Sequence, residues 1–135
     1  MIHPYAHYLG RAAAWYPERV AVIEGERRLG YRELDDRAHA LARALASLGV
    51  GQGDRVAVLQ ANTHRFMEAL VGAARAGAAF VPMLGVLTEA DHAHMVEDSG
   101  ARVLIAPTAA LAARGRAFKD AVAALATERE EGTRR

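Results

Sequence analysis

Cysteine is absent from all 135 residues, so disulfides and thiolate chemistry are both excluded, a pattern compatible with a reducing compartment. Lysine is almost absent: 16 of the 17 basic residues are Arg, and Lys119 is the exception. The Arg residues invite a phosphate-binding reading, but they alternate with 16 acidic residues for a net charge of +1. Interspersed charges of this kind make ordinary solvated faces and demand no nucleic-acid partner. Proline occurs only four times, and the chain is 52% hydrophobic and 24% charged, which excludes a disordered chain and a fibre. The longest uncharged run near the middle, residues 76–88, contains Gly77, Pro82 and Gly85 and is too short to span a bilayer. The first residues, Met1-Ile2-His3-Pro4-Tyr5, hold no basic region followed by an apolar run, so no secretory signal is expected. These absences together predict a soluble, cytoplasmic protein without a transmembrane segment.

What remains is a chain long enough to bury one core of ordinary size. A single α/β domain is expected over residues 1–126, followed by a charged tail over 127–135 that should fray. Pro4 opens a short helix with Tyr5, Tyr8, Leu9, Ala12 and Tyr16 on one stripe, and Pro17 ends it. Val20-Ala21-Val22-Ile23 reads as a strand, and Glu24-Gly25-Glu26 turns it into Arg27-Arg28-Leu29 as a hairpin. Over residues 31–48, Leu34, Ala38, Leu41, Leu45 and Leu48 recur at helical spacing, while Glu33 and Arg37 stand i,i+4 on the other face. Val56-Ala57-Val58-Leu59 is a continuous apolar run, as in a strand covered on both faces.

The same pattern then repeats. Asn62 or Thr63 caps a broadly apolar helix reaching about Arg75, and residues 79–83 form a second buried strand. Thr88 caps a third helix with Asp91 at the capping-box position, and Val103-Leu104-Ile105 is a third strand. Beyond Pro107 and Thr108, Leu111, Phe118, Val122 and Leu125 share a helical face that Gly115 interrupts. The helix stops Gly49, Gly77 and Gly100 lie 28 and 23 residues apart, the length of successive βα units. The fold class expected is therefore α/β: an open, mainly parallel sheet of βα units with helices on both faces and an N-terminal hairpin.

No catalytic constellation emerges. Gly49-Val50-Gly51-Gln52-Gly53 follows a helix and precedes a strand, whereas a phosphate cradle needs the reverse order, so it reads as an αβ turn. His3 and His7 are four apart but have no third metal ligand nearby. His92 and His94 are expected on the surface, one of them near Asp98, and Asp35 and Asp36 on the solvated face of the long helix. Ser47 and Ser99 lack the glycine-flanked elbow of a hydrolase nucleophile, and Trp15 with Tyr5, Tyr8 and Tyr16 is expected in the core. A weaker idea, resting on topology alone, places a small ligand at the strand ends near Asn62, His64, Thr88 and Thr108. The sequence assigns no catalytic, cofactor-binding or metal-ligating residue.

One resemblance runs through these pieces. Tyr16-Pro17-Glu18-Arg19-Val20-Ala21-Val22-Ile23, Gly30-Tyr31-Arg32-Glu33-Leu34 and Leu48-Gly49-Val50-Gly51-Gln52-Gly53-Asp54-Arg55-Val56-Ala57-Val58 resemble the N-terminal region of adenylate-forming acyl-CoA synthetases. The likeness continues in order through Asn62, Ala69-Leu70-Val71-Gly72-Ala73, Arg75-Ala76-Gly77-Ala78, Val81-Pro82, Leu87-Thr88 and Glu97-Asp98-Ser99-Gly100-Ala101. It covers roughly residues 8–106. The resemblance implies a two-step reaction in the full-length family: a carboxylate attacks ATP to give an acyl-adenylate, and coenzyme A then displaces AMP. It also implies ATP, Mg and CoA for the full-length enzyme and none for this chain, because the family's phosphate loop, ribose-binding aspartate and C-terminal lysine lie downstream of the matched region. Two departures stand out. Gly30 replaces a capping Thr at a cost of about a few tenths of a kcal/mol, and Leu84-Gly85-Val86 replaces an Asn-Pro-Arg-like turn. The expectation is a fragment inactive by itself, partnered by the missing remainder of the synthetase or by a second copy covering an exposed sheet edge. The alternative is a freestanding non-catalytic interaction or oligomerisation module.

Overall fold

In the computed structural model, residues 5–113 are described, with side chains through residue 110. Helix α1 (Tyr5–Trp15) leads into an antiparallel hairpin of β1 (Val20–Glu24) and β2 (Arg27–Gly30). Helix α2 (Tyr31–Ser47) follows, then β3 (Arg55–Leu59), α3 (His64–Arg75), β4 (Ala79–Met83), α4 (Glu89–Ser99), β5 (Val103–Ile105) and α5 (Thr108–Ala113). The three later strands pair in parallel in the order β4-β3-β5. Expectations for residues beyond 113, including the Phe118 to Leu125 face and the tail, fall outside the described residues.

Alternation along β3 divides the core. Val56 and Val58, both fully buried, pack with Leu45 of α2 and with Ala69 and Ala73 of α3. Ala57 and Leu59 point the other way, onto Ala93 and Val96 of α4. The sheet thus carries α2 and α3 on one face and α4 on the other. Connections running in opposite directions on opposite faces share one hand, as parallel βα units require. A third cluster, Leu9, Leu34, Ala38 and Val71, fastens α1 and the hairpin onto the outside of α2 and α3.

Sheet coverage is uneven. In β3 only Arg55 is exposed, whereas in β4 Met83 alone is buried and Ala79 and Pro82 face outward. β4 is therefore a half-covered edge strand and not the buried strand that its apolar letters predict. Pro82 fits that position, since a residue without an N–H is tolerated at a sheet edge.

Helix ends show where local signals hold and where they fail. Thr88 and Asp91 form the expected capping box: the Asp91 N–H donates to Thr88 Oγ1 at 3.2 Å, and the Thr88 N–H donates to Asp91 Oδ2 at 3.0 Å. At α2, Gly30 offers no side chain, and the free N–H groups of Tyr31 and Arg32 donate instead to the carbonyls of Arg19 (3.0 Å) and Pro17 (3.1 Å). Gly77 ends α3 at φ 81°, with Gln52 Cα only 3.1 Å from where a β-carbon would stand. Only glycine meets both demands there.

Four expectations about side chains are corrected. On α1 the buried residues are Ala6 and Leu9, while Tyr5, Tyr8, Trp15 and Tyr16 remain 47–64% exposed. Small residues let α1 lie close to α2 and α3, so the bulky rings turn outward; Trp15 meets Tyr16 edge-on at 6.5 Å, with Arg11 over the Trp15 ring at 4.9 Å. Leu48, at the C-cap of α2, is 41% exposed. Arg37 does not pair with Glu33 along α2; it crosses to Glu68 of α3, and Glu33 lies 3.7 Å from Arg27. Asp35 leaves the solvated face: its carboxylate accepts from Arg75, and its side chain is 16% exposed.

Candidate functional site

The carboxyl ends of β3, β4 and β5 open into a cleft of about 580 Å³. Its walls are Gln60 and Asn62 after β3, Met83 to Val86 after β4, Pro107 after β5, and Phe66 from the first turns of α3. The order β4-β3-β5 reverses chain direction across β3, and open α/β sheets bind ligands at such a switch. Phe66 is fixed edge-on against Phe80 of β4, with ring centroids 5.3 Å apart. The wall is apolar, with Leu84 63% and Val86 91% exposed, and among the described residues only Gln60 and Asn62 supply polar side chains.

Of the four residues that topology suggested, the structure brings one to this cleft. Asn62 lines it. Thr88 is committed to the α4 capping box, and Thr108 is exposed at the start of α5 without lining the cavity. His64 turns away into a buried polar cluster, where it is 4% exposed. Its Nδ1 lies 2.5 Å from Glu24 Oε2, and its backbone N–H donates to the same oxygen at 3.0 Å. Its Nε2 stands 3.4 Å from Arg37 Nη2 and 3.7 Å from Glu68 Oε1.

This cluster explains the start of α3. Thr63 is the N-cap residue yet makes no side-chain cap bond, and the carboxylate that reaches an α3 N–H comes from Glu24, 40 residues earlier, at the tip of the hairpin. The His64 ring N–H, then the His64 backbone N–H, hold the Glu24 carboxyl below its ordinary value. The Glu68 hydrogen bonds raise Arg37 above the ordinary guanidinium range. The cluster clips β1, α2 and α3 together and contains no nucleophile.

Sequence reasoning also missed His92. It is not a surface residue but fully buried on α4, and its Nε2–H donates 2.7 Å to the Leu84 carbonyl, tethering the loop that forms one wall of the cleft. His94 is exposed as expected. A buried histidine in α4 leaves no mark in the helical pattern, because His92 sits beside Ala93 on the inner face where a hydrophobe would serve equally.

The remaining motifs settle as structure. In the Gly49–Gly53 turn, the Gly51 N–H donates to Asp54 Oδ2 at 2.8 Å and the Gly53 N–H to the Gly77 carbonyl at 3.1 Å. A carboxylate inside the turn repels phosphate, so the loop is not an anion cradle. Ser47 and Ser99 donate back to the helix carbonyls of Ala44 and Val96. Among the described residues, no group of three or more His, Cys, Asp or Glu could hold a metal ion, so these donors do not fit the Mg that the resemblance implies. No described helix is long and apolar enough to cross a membrane.

Fold and strand-end cleft define the class: a βα-unit scaffold, parallel in its core, of the kind that begins nucleotide-activating ligases. The family described as AMP-binding enzyme matches residues 9–134, and the chain belongs to that family of adenylate-forming ligases. Feruloyl-CoA synthase from Amycolatopsis sp is 44% identical over 117 residues, covering 81% of this chain and 23% of that protein. A fatty acid–acyl-carrier-protein ligase from Streptomyces coeruleorubidus is 33% identical over 106 residues, covering 76% of this chain and 20% of that protein. A benzoate CoA ligase from Burkholderia xenovorans superposes with a TM-score of 0.75 at 33% identity, over 80% of this chain and 22% of the other. The chain therefore spans about a quarter or less of these relatives.

Proposed function

We propose that this chain is the N-terminal scaffold of an ATP-dependent acid–CoA ligase and does not activate a carboxylate by itself. The observation that carries the reading is the ordered family match over residues 9–134 in a sequence with no Ser/Thr/Gly-rich phosphate loop. Its one glycine-rich turn already holds the Asp54 carboxylate against the Gly51 N–H. Adenylation needs donors placed around the developing phosphate charge. The complete enzyme would take ATP, Mg and CoA, act on a carboxylic acid, fatty acids included, and work in the cytoplasm. Relatives named for ferulate, benzoate and fatty acids support the acid class without choosing among its members.

On this reading the chain's task is architectural: it presents the strand-end cleft, with exposed Leu84 and Val86, for the remainder of the synthetase to cover. Two experiments test it. The pure 135-residue chain, incubated with ATP, labelled pyrophosphate and a panel of aryl and fatty acids, is expected to show no exchange; robust exchange overturns inactivity. Residues 9–106, grafted over the matching segment of the Amycolatopsis feruloyl-CoA synthase, are expected to sustain ligase activity. A folded but dead chimera would count against the scaffold assignment.

A further inference from the structure

A second cleft, of about 830 Å³, lies on the far side of α2 and α3 from the sheet, between α1, α2 and the end of α3. Its volume is in the range of small-molecule sites. Alanines and Gly10 form its floor, and every ionisable side chain lining it is basic: His7 and Arg11 from α1, His39 and Arg43 from α2, and Arg75 from α3. Among the described residues no carboxylate lines it.

The five groups differ in their commitments. Arg75 is a strut: its guanidinium binds the Asp35 carboxylate, the Asp35 carbonyl at 3.2 Å and the Ala6 carbonyl at 3.3 Å, so it holds all three helices together. Asp35, the one acid at its edge, is shared between Arg75 and His39, whose Nε2 is 3.7 Å away. Arg11 is stacked on Trp15, its Cζ 4.9 Å from the ring centroid. Neither Arg11 nor Arg43 has an ion-pair partner among the described residues. Among the described residues, two permanent charges therefore stand beside an apolar floor without an ion-pair partner. Guanidinium forks suit carboxylate and phosphate oxygens, and the small-residue floor suits a hydrocarbon or aryl body.

We propose that this cleft binds a small amphipathic anion, a carboxylate or phosphate ester whose head pairs with Arg11 and Arg43 and whose apolar body lies on the alanine floor. The inference is independent of the ligase reading, because the cleft is separate from the strand ends. It extends to neither polyanions nor apolar ligands alone, since the lining offers one shallow floor and two arginines that lack an ion-pair partner among the described residues.

The test titrates the full 135-residue chain, by calorimetry and by amide NMR shifts, with octanoate and octyl phosphate below their aggregation limits. Octanol, inorganic phosphate and vesicles of phosphatidylglycerol serve as comparison arms. Saturable one-to-one binding of either organic anion is expected, with shifts confined to α1 and α2 and at least tenfold weaker affinity in Arg11→Ala/Arg43→Ala and in Ala46→Phe. All three positions are exposed, so these variants should keep the wild-type circular dichroism spectrum. Equal binding of octanol, saturation by inorganic phosphate alone, binding to vesicles only, or unchanged affinity in the variants would each overturn the proposal.

Discussion

Glu24 acts at the residue scale on a helix 40 positions downstream. Its carboxylate occupies the N-terminus of α3, where free N–H groups and the helix dipole favour negative charge, and the His64 ring adds a second donor. Because hydrogen bonding to His64 lowers the folded-state pKa below the ordinary 4.5, the stabilisation is complete above that value. It is lost as pH falls through the folded-state value. Glu24→Gln is therefore expected to melt at a lower temperature than wild type at pH 7 and to lose less on acidification below pH 4.5, so that the two melting curves converge. Parallel acid curves, followed by circular dichroism, would contradict this role. The pairing was not legible in the sequence, since nothing near residue 64 announces a partner at residue 24, and Thr63 advertises a cap that it does not make.

Between elements, α2 and α3 pack tightly at Gly72. Gly72 is buried at their crossing, and a β-carbon placed there would stand 3.0 Å from Leu41 Cγ and Cδ2 and 3.1 Å from Leu41 Cβ. Alanine normally gains about 1 kcal/mol over glycine inside a helix, whereas overpacking costs typically ~1–3 kcal/mol. Contact with Leu41 Cβ leaves little room to swing aside, so the clash wins. Gly72→Ala is expected to destabilise by about 1 kcal/mol in urea unfolding, and Leu41→Ala in the same chain, which removes Cγ and Cδ2 but keeps Cβ, should recover part of that loss. Additive effects in that double-mutant cycle would show that the two positions do not touch. Both helices were plain from their periodicity, but the closeness of their packing was not: Gly72 reads in sequence as a weak spot in a helix, and only its neighbour shows it as a seat.

At the scale of the molecule, the described residues form a sheet of three parallel strands with β4 half covered, and the cleft at its carboxyl ends exposes Leu84 and Val86. Apolar surface next to an open strand edge favours a covering chain. On the proposed reading that cover is the remainder of the ligase, and in its absence a second copy. Light scattering after size exclusion is expected to show concentration-dependent association of the pure chain, weakened by Val86→Asp, which changes a fully exposed side chain and leaves the core intact. A monomer at every concentration would remove the need for a partner.

The α/β class, the hairpin and the three βα units with their glycine stops were carried by local spacing, which depends only on neighbours a few residues apart, whereas the family kinship came from a resemblance running in order over residues 8–106. The place of the Gly49–Gly53 turn between a helix and a strand was legible too, because chain order fixes it. What the tertiary structure decided are relations over long separations: Glu24 at the head of α3, Arg37 drawn from Glu33 to Glu68, His92 buried to hold Leu84, aromatic rings turned out from α1, and a basic cleft assembled from three helices. Hydrophobic periodicity says which face of an element is buried. It does not say against what, and charge partners, edge exposure and cavities follow from that second answer.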